Sequence, residues 1–134
     1  MTKSKVQVSF IEVRSAASKL AWIRDLAQQH SRSKRPLAIL LPGEAACDYL
    51  DLHLWEEPKS SFLPHCVGAG VAPVQLYAEG MPEKAEWVLN LRPEPVLLDE
   101  PSLRLVYELR DLSHPDRARA AEIKALAYRE AGCA

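Results

Sequence analysis

Pro36-Leu-Ala-Ile-Leu-Leu-Pro-Gly43 holds a short, unbroken apolar run between two prolines. A run from Leu37 to Leu41 without polar alternation is the pattern of a strand covered on both faces, and such strands belong to parallel sheets. Pro42-Gly43 then turns the chain. Immediately upstream, Ala16, Leu20, Ile23, Leu26 and Ala27 recur at helical spacing, with Ser15 placed to cap the helix. Arg32, Lys34 and Arg35 stand where the C-terminal dipole favours cations, and Pro36 stops the helix. Further back, Val6 to Val13 alternates, with Val6, Val8 and Phe10 on one side and Gln7, Ser9 and Ile11 on the other, which is a strand by period. Downstream of Gly43 a second helix carries Ala46, Tyr49, Leu50 and Leu54 on one stripe and ends before Pro58. Strand, helix, strand, helix argues a parallel βαβ start with helices packed on the sheet.

The second half is richer in strands. Val74 to Tyr77, Trp87 to Leu91 and Arg104 to Leu109 are apolar segments, and in the last Leu105 and Tyr107 oppose Val106 and Glu108. Pro93, Pro95 and Pro101 make the stretch before that strand a loop. A last helix starts near Pro115, capped by Ser113 or His114, with Ala120, Ile123, Leu126 and Ala127 as its expected apolar line and Gly132 just past its end. The expectation is an α/β chain, a single domain over residues 1–134, with a mixed, mostly parallel sheet and helices on both faces. Its topology is nucleotide-binding-like but lacks a phosphate loop.

Composition narrows the function. The 134 residues suit one ordinary domain, and the net charge of −1 argues against strong direct binding of nucleic acid, which needs a basic face. Cys47, Cys66 and Cys133 are an odd set without repeated spacing, so a reducing compartment is expected. No apolar stretch approaches the ~20 residues of a membrane span. The N-terminus runs straight into an alternating segment with Glu12 and Arg14, unlike a signal peptide. A cytoplasmic protein without a membrane partner is expected.

The residues offer little catalytic chemistry. The first strand-to-helix turn, Arg14-Ser15-Ala16-Ala17, has no glycine, and the second, Pro42-Gly43-Glu44, carries an anion that repels phosphate. Gly68 and Gly70 lead to Pro73 and a strand rather than to a helix. Cys47, His53, His65 and Cys66 contain no pair with the short ligand spacing of structural zinc motifs, and buried thiols are the better reading of the two cysteines. Neither cofactor, metal nor catalytic set is expected. A nucleotide-dependent enzyme on the same scaffold stands as the alternative from another class. One segment stands out: Trp55 at a helix end and Phe62 seven residues on frame Glu-Glu-Pro-Lys-Ser-Ser. Such an aromatic pair is either a small satellite core or a binding hot spot.

This segment resembles a known family, on Leu50-Asp51-x-x-Leu54-Trp55-x-x-Pro58-x-x-Ser61-Phe62-x-Pro64-His65 followed by Pro73-Val74. The similarity runs back through Tyr49 and Pro36-Leu-Ala-Ile-Leu, and forward to Ala127-Tyr128-Arg129-x-Ala131-Gly132. The family is the chi subunit of bacterial DNA polymerase III holoenzyme. The resemblance implies a non-catalytic accessory protein that joins the clamp loader through a small partner, psi, and binds the acidic, phenylalanine-ending tail of the single-stranded-DNA-binding protein. It implies a partner contact at Phe62, with Trp55, Pro64 and His65 in the same motif. For the tail, Ala118, Glu122 and Ala125 stand where the family has Lys, Arg and Tyr; nearby Arg117, Lys124 and Arg129, with Arg119, are either a substitute patch or a solvated helix face, and tail binding is expected to be weak or altered. A chi-like adaptor for a repair helicase is the nearer alternative.

Overall fold

Leu37–Leu40 (β2) is buried at every position, as an unbroken apolar run requires, and lies inside the sheet with a strand on each side. A computed structural model describes residues 6–56, 65–67 and 73–131. Around β2 the chain runs β1 (Gln7–Val13), α1 (Ala16–Ser33), β2, α2 (Glu44–Glu56), β3 (His65–Val67), β4 (Val74–Tyr77), β5 (Trp87–Asn90), β6 (Leu105–Asp111) and α3 (Pro115–Glu130). The six strands lie in the order β1-β6-β5-β2-β4-β3.

Every strand pairing among the described residues is parallel, so the expected mostly parallel sheet has no antiparallel pair among them. The physical reason lies in the connections. The proline-rich segment between β5 and β6 is a loop, as its composition requires, yet it is long enough to cross back over the sheet instead of turning a hairpin. It covers a sheet face as a helix would, burying Val96 and Leu103. The link from β4 to β5 does the same with Met81 and Ala85. The sequence reading also missed β3, a three-residue edge strand against β4.

Two cores result, one on each face of the sheet. On the first, Ile23, Leu26, Cys47 and Leu50 from α1 and α2 pack on Leu37, Ile39, Leu76 and Leu89. On the second, Tyr128 of α3 joins the crossing loops over Ala38, Leu40, Val88 and Val106. Burying an aliphatic side chain of this kind stabilises the fold by roughly 1.5–3 kcal/mol. Cys47 is 1% exposed and behaves as a small hydrophobe, with burial foremost and Asp48 next in pushing its thiol pKa up.

The helix boundaries follow local chemistry. Ser15 caps α1 through a reciprocal box with Ser18, and Lys34 closes it in the left-handed conformation at φ 58°. His114, with extended backbone, caps α3 by accepting from the Asp116 amide at 3.1 Å, and Pro115 takes the first turn. The face of α3 differs from expectation. Ala121, Lys124 and Tyr128 point inward, while Ile123 is 61% and Leu126 52% exposed. The cause is Glu108, whose carboxylate under the helix is satisfied by polar residues and not by aliphatic ones.

Candidate partner-binding site

Glu108 lies in β6 among apolar neighbours and is completely buried. A carboxylate there must find donors, because an isolated buried charge is very costly. Three side chains supply them. Lys124 Nζ donates to Oε1 at 2.8 Å, Asn90 Nδ2 donates to Oε2 at 2.8 Å, and the Tyr128 hydroxyl donates to Oε2. The Tyr128 oxygen in turn accepts the Val96 amide at 2.8 Å, and Asn90 also donates to the Glu94 carbonyl at 2.8 Å. One network thus joins β5, β6, α3 and the crossing loop. Burial pushes the Glu108 carboxyl upward, opposed by the Lys124 charge and then by the hydrogen bonds; burial also pushes the Tyr128 phenol up, reinforced by Glu108.

A second polar knot closes the carboxyl end of β6. Asp111 Oδ1 accepts from the Ser113 amide at 3.0 Å and from its hydroxyl. Its Oδ2 takes Lys19 Nζ at 3.3 Å and lies 3.6 Å from the Arg117 guanidinium. Burial alone would raise this carboxyl, but the Ser113 and Lys19 contacts outweigh it and hold it below the ordinary carboxylate value. Asp111 therefore ties the start of α1 and the start of α3 to one strand.

These knots decide where the three candidate cations stand. Arg117 remains exposed but is drawn to Asp111. Lys124 is only 6% exposed and committed to Glu108, so it does not stand in solvent as a substitute cation for the tail would. The two are indeed two turns apart on one side of the helix, but that side faces the sheet. Arg129 is exposed on the outward flank. The three do not converge. Glu122 stands 3.8 Å from Arg110. Of the motif residues, Trp55 falls in the last turn of α2 and His65 opens β3, with both side chains outside the described residues. Phe62 and Pro64 lie outside the described residues altogether.

Two clefts of about 290 and 330 Å³ open where the strands end and share Lys19, Pro42, Leu91 and Arg117 in their walls. This is where open parallel sheets bind ligands. The helix starts beside them present capping side chains or acids: Ser15 on α1, Glu44 in the first turn of α2, and His114 with Asp116 on α3. Among the described residues no group of three or more His, Cys, Asp or Glu could hold a metal ion, and no helix is long and apolar enough to cross a membrane.

Sequence reasoning missed Glu108 as an organising residue, together with Asn90, Tyr128 and Asp111. The available signal was an acid set between Tyr107 and Leu109 in the middle of the last strand.

Fold and polar centre together define an open, doubly wound parallel α/β domain whose buried charges fasten its last helix to the sheet. The chain belongs to the family of the DNA polymerase III chi subunit, HolC, whose sequence model matches residues 6–134. It is thereby assigned to DNA replication as an accessory subunit of that polymerase, working through protein partners. No individual curated protein sequence matches the chain.

Proposed function

We propose that this chain, acting as one domain over residues 1–134, is a non-catalytic link between the clamp loader and single-stranded-DNA-binding protein, in the cytoplasm. The observation that carries this reading is the family match across nearly the whole chain. A psi-like subunit is the clamp-loader partner, held by the segment with Trp55, Phe62, Pro64 and His65. The acidic tail of the single-stranded-DNA-binding protein meets α3, and weakly. With Lys124 engaged by Glu108, the cations left to face solvent on that helix are Arg117 and Arg129 on different sides, with Arg119 between them in sequence. No cofactor enters this role.

The test is affinity capture of the tagged full chain from its native lysate, with partners identified by mass. Clamp-loader subunits and single-stranded-DNA-binding protein should be recovered, and Phe62→Ala should lose the former. Recovery of a helicase in place of clamp-loader subunits would overturn the clamp-loader assignment. Micromolar binding of ATP, GTP or NAD by calorimetry would overturn the non-catalytic reading.

A further inference from the structure

The outward face of α3 has an internal order that its own fold does not use. Arg119, Ile123, Leu126 and Glu130 are spaced by four, three and four residues, the seam of a coiled coil. All four are exposed, Ile123 and Leu126 to 61% and 52%. The same helix buries Ala121, Lys124 and Tyr128 on its opposite side, so this seam is a second face and no part of the domain core. One flank of the seam carries Ala120 and Ala127, small enough for close approach of another backbone. The other flank carries Glu122 and Arg129.

We propose that a second copy of this chain docks on this face, α3 against α3 in antiparallel register about a two-fold axis. The order of charges identifies the occupant, because the seam is its own complement. With the axis passing between Lys124 and Ala125, Ile123 meets Leu126 of the partner subunit, and Leu126 meets Ile123 of the partner subunit. Arg119 then faces Glu130 of the partner subunit at both ends. On the charged flank Glu122 approaches Arg129 of the partner subunit, while the alanines of the other flank let the helices close. A parallel pair would set Arg119 against Arg119 and Glu130 against Glu130, so the charges select the antiparallel arrangement. Two-fold pairing of one patch with itself is the commonest symmetry of homo-oligomers. Within the chain Glu122 is held only loosely, 3.8 Å from Arg110, and is 70% exposed, so it is available to a neighbour. One short helix pair covers less than the roughly 800 Å² per partner of a standard interface, so the dimer is weak and dissociates on dilution.

Sedimentation equilibrium of the full chain at low ionic strength tests this. The wild type should rise from monomer mass towards twice that mass as concentration increases into the hundreds of micromolar. Ile123→Asp should remain monomeric. Arg119→Glu alone and Glu130→Arg alone each set like charges together at both ends, and each should weaken association roughly tenfold, equivalent to about 1.4 kcal/mol. The double variant Arg119→Glu/Glu130→Arg should restore it. An equimolar mixture of the two single variants should associate better than either alone, since every terminal pair is then of opposite sign. All substituted residues are exposed, so unchanged melting temperatures are expected. A wild type that is monomeric throughout overturns the proposal and leaves the face to a different protein. Association that ignores the charge exchanges also overturns it, because the contact would then lie on another surface.

Discussion

Lys124 Nζ lies 2.8 Å from Glu108 Oε1, and both side chains are buried between α3 and the sheet. The pair explains which way the last helix faces. Helical periodicity assigns Ile123 and Leu126 to the core, since apolar spacing is the strongest signal in a sequence. A buried carboxylate overrides it: the helix turns until Lys124 and Tyr128 reach Glu108, and two aliphatic side chains are left in water.

Removing one partner should therefore cost far more than removing both. Lys124→Met leaves Glu108 buried without its cation and should lower folding stability by about 3–5 kcal/mol. Lys124→Met combined with Glu108→Leu should recover most of that loss, because an apolar pair of similar volume avoids the desolvation of two charges. Urea denaturation of the wild type, the single variant and the double variant gives the comparison. A double variant no better than Lys124→Met would show that the network holds α3 by its hydrogen bonds to Asn90 and Tyr128 more than by charge.

The two buried carboxylates should pull the pH dependence in opposite directions. Asp111 has a folded pKa below its ordinary 3.8, so the unfolded chain binds more protons in that window. Its stabilisation is present above the ordinary value and is lost as pH falls through the depressed one. The stability gap between wild type and Asp111→Asn should therefore be full at neutral pH and close below pH 3.8. Glu108 has a raised pKa, so the folded chain binds its proton more readily and stability falls as pH rises beyond the ordinary 4.5. Glu108→Gln should remove that alkaline-going loss. Melting curves between pH 3 and pH 7 read both slopes.

Phe62 offers a test that separates contact from core. As a partner anchor, Phe62→Ala should weaken clamp-loader capture by roughly 2 kcal/mol or more while melting temperature stays almost unchanged. As a core residue it would instead cost about 3–5 kcal/mol of folding stability. Capture and melting measured on the same preparation distinguish the two. A large fall in melting temperature would return Phe62 to a satellite core.

Much of the fold was legible because its signals are local. The alternation of β1, the unbroken run of β2, the Ser15 cap and the His114-Pro115 start each follow from a few adjacent residues. What was not legible depends on distant partners. Strand direction is set by where the proline-rich segment crosses, and that path is fixed by Val96 and Leu103 finding the sheet. The inward turn of Lys124 depends on an acid 16 residues away. Trp55 and Phe62 stand out in the sequence as an aromatic pair framing a polar link, but only family likeness assigns them, with Pro64 and His65, to a partner contact, since neither spacing nor charge distinguishes a hot spot from a small core.

For the acidic tail, family likeness and residues pull apart. A tail ending in Phe and a free carboxylate requires cations for the carboxylate and an apolar seat for the ring. Lys124 is committed to Glu108, so Lys124→Glu should collapse the packing of α3 and inform on folding instead of binding. Arg117 and Arg129 are roughly 18 Å apart along the helix at 1.5 Å per residue, too far to grip one carboxylate. Arg117 is already 3.6 Å from Asp111. Binding should accordingly be weak and should fade with salt, since exposed charges are screened within about 10 Å at 0.1 M. Glu122→Arg should tighten it by setting a second cation two turns from Arg129 on one flank, and Arg129→Glu should abolish it. Fluorescence anisotropy of a labelled tail peptide at low and moderate salt measures all three proteins. Tight, salt-resistant binding that ignores both substitutions would place the tail on a different surface of the chain.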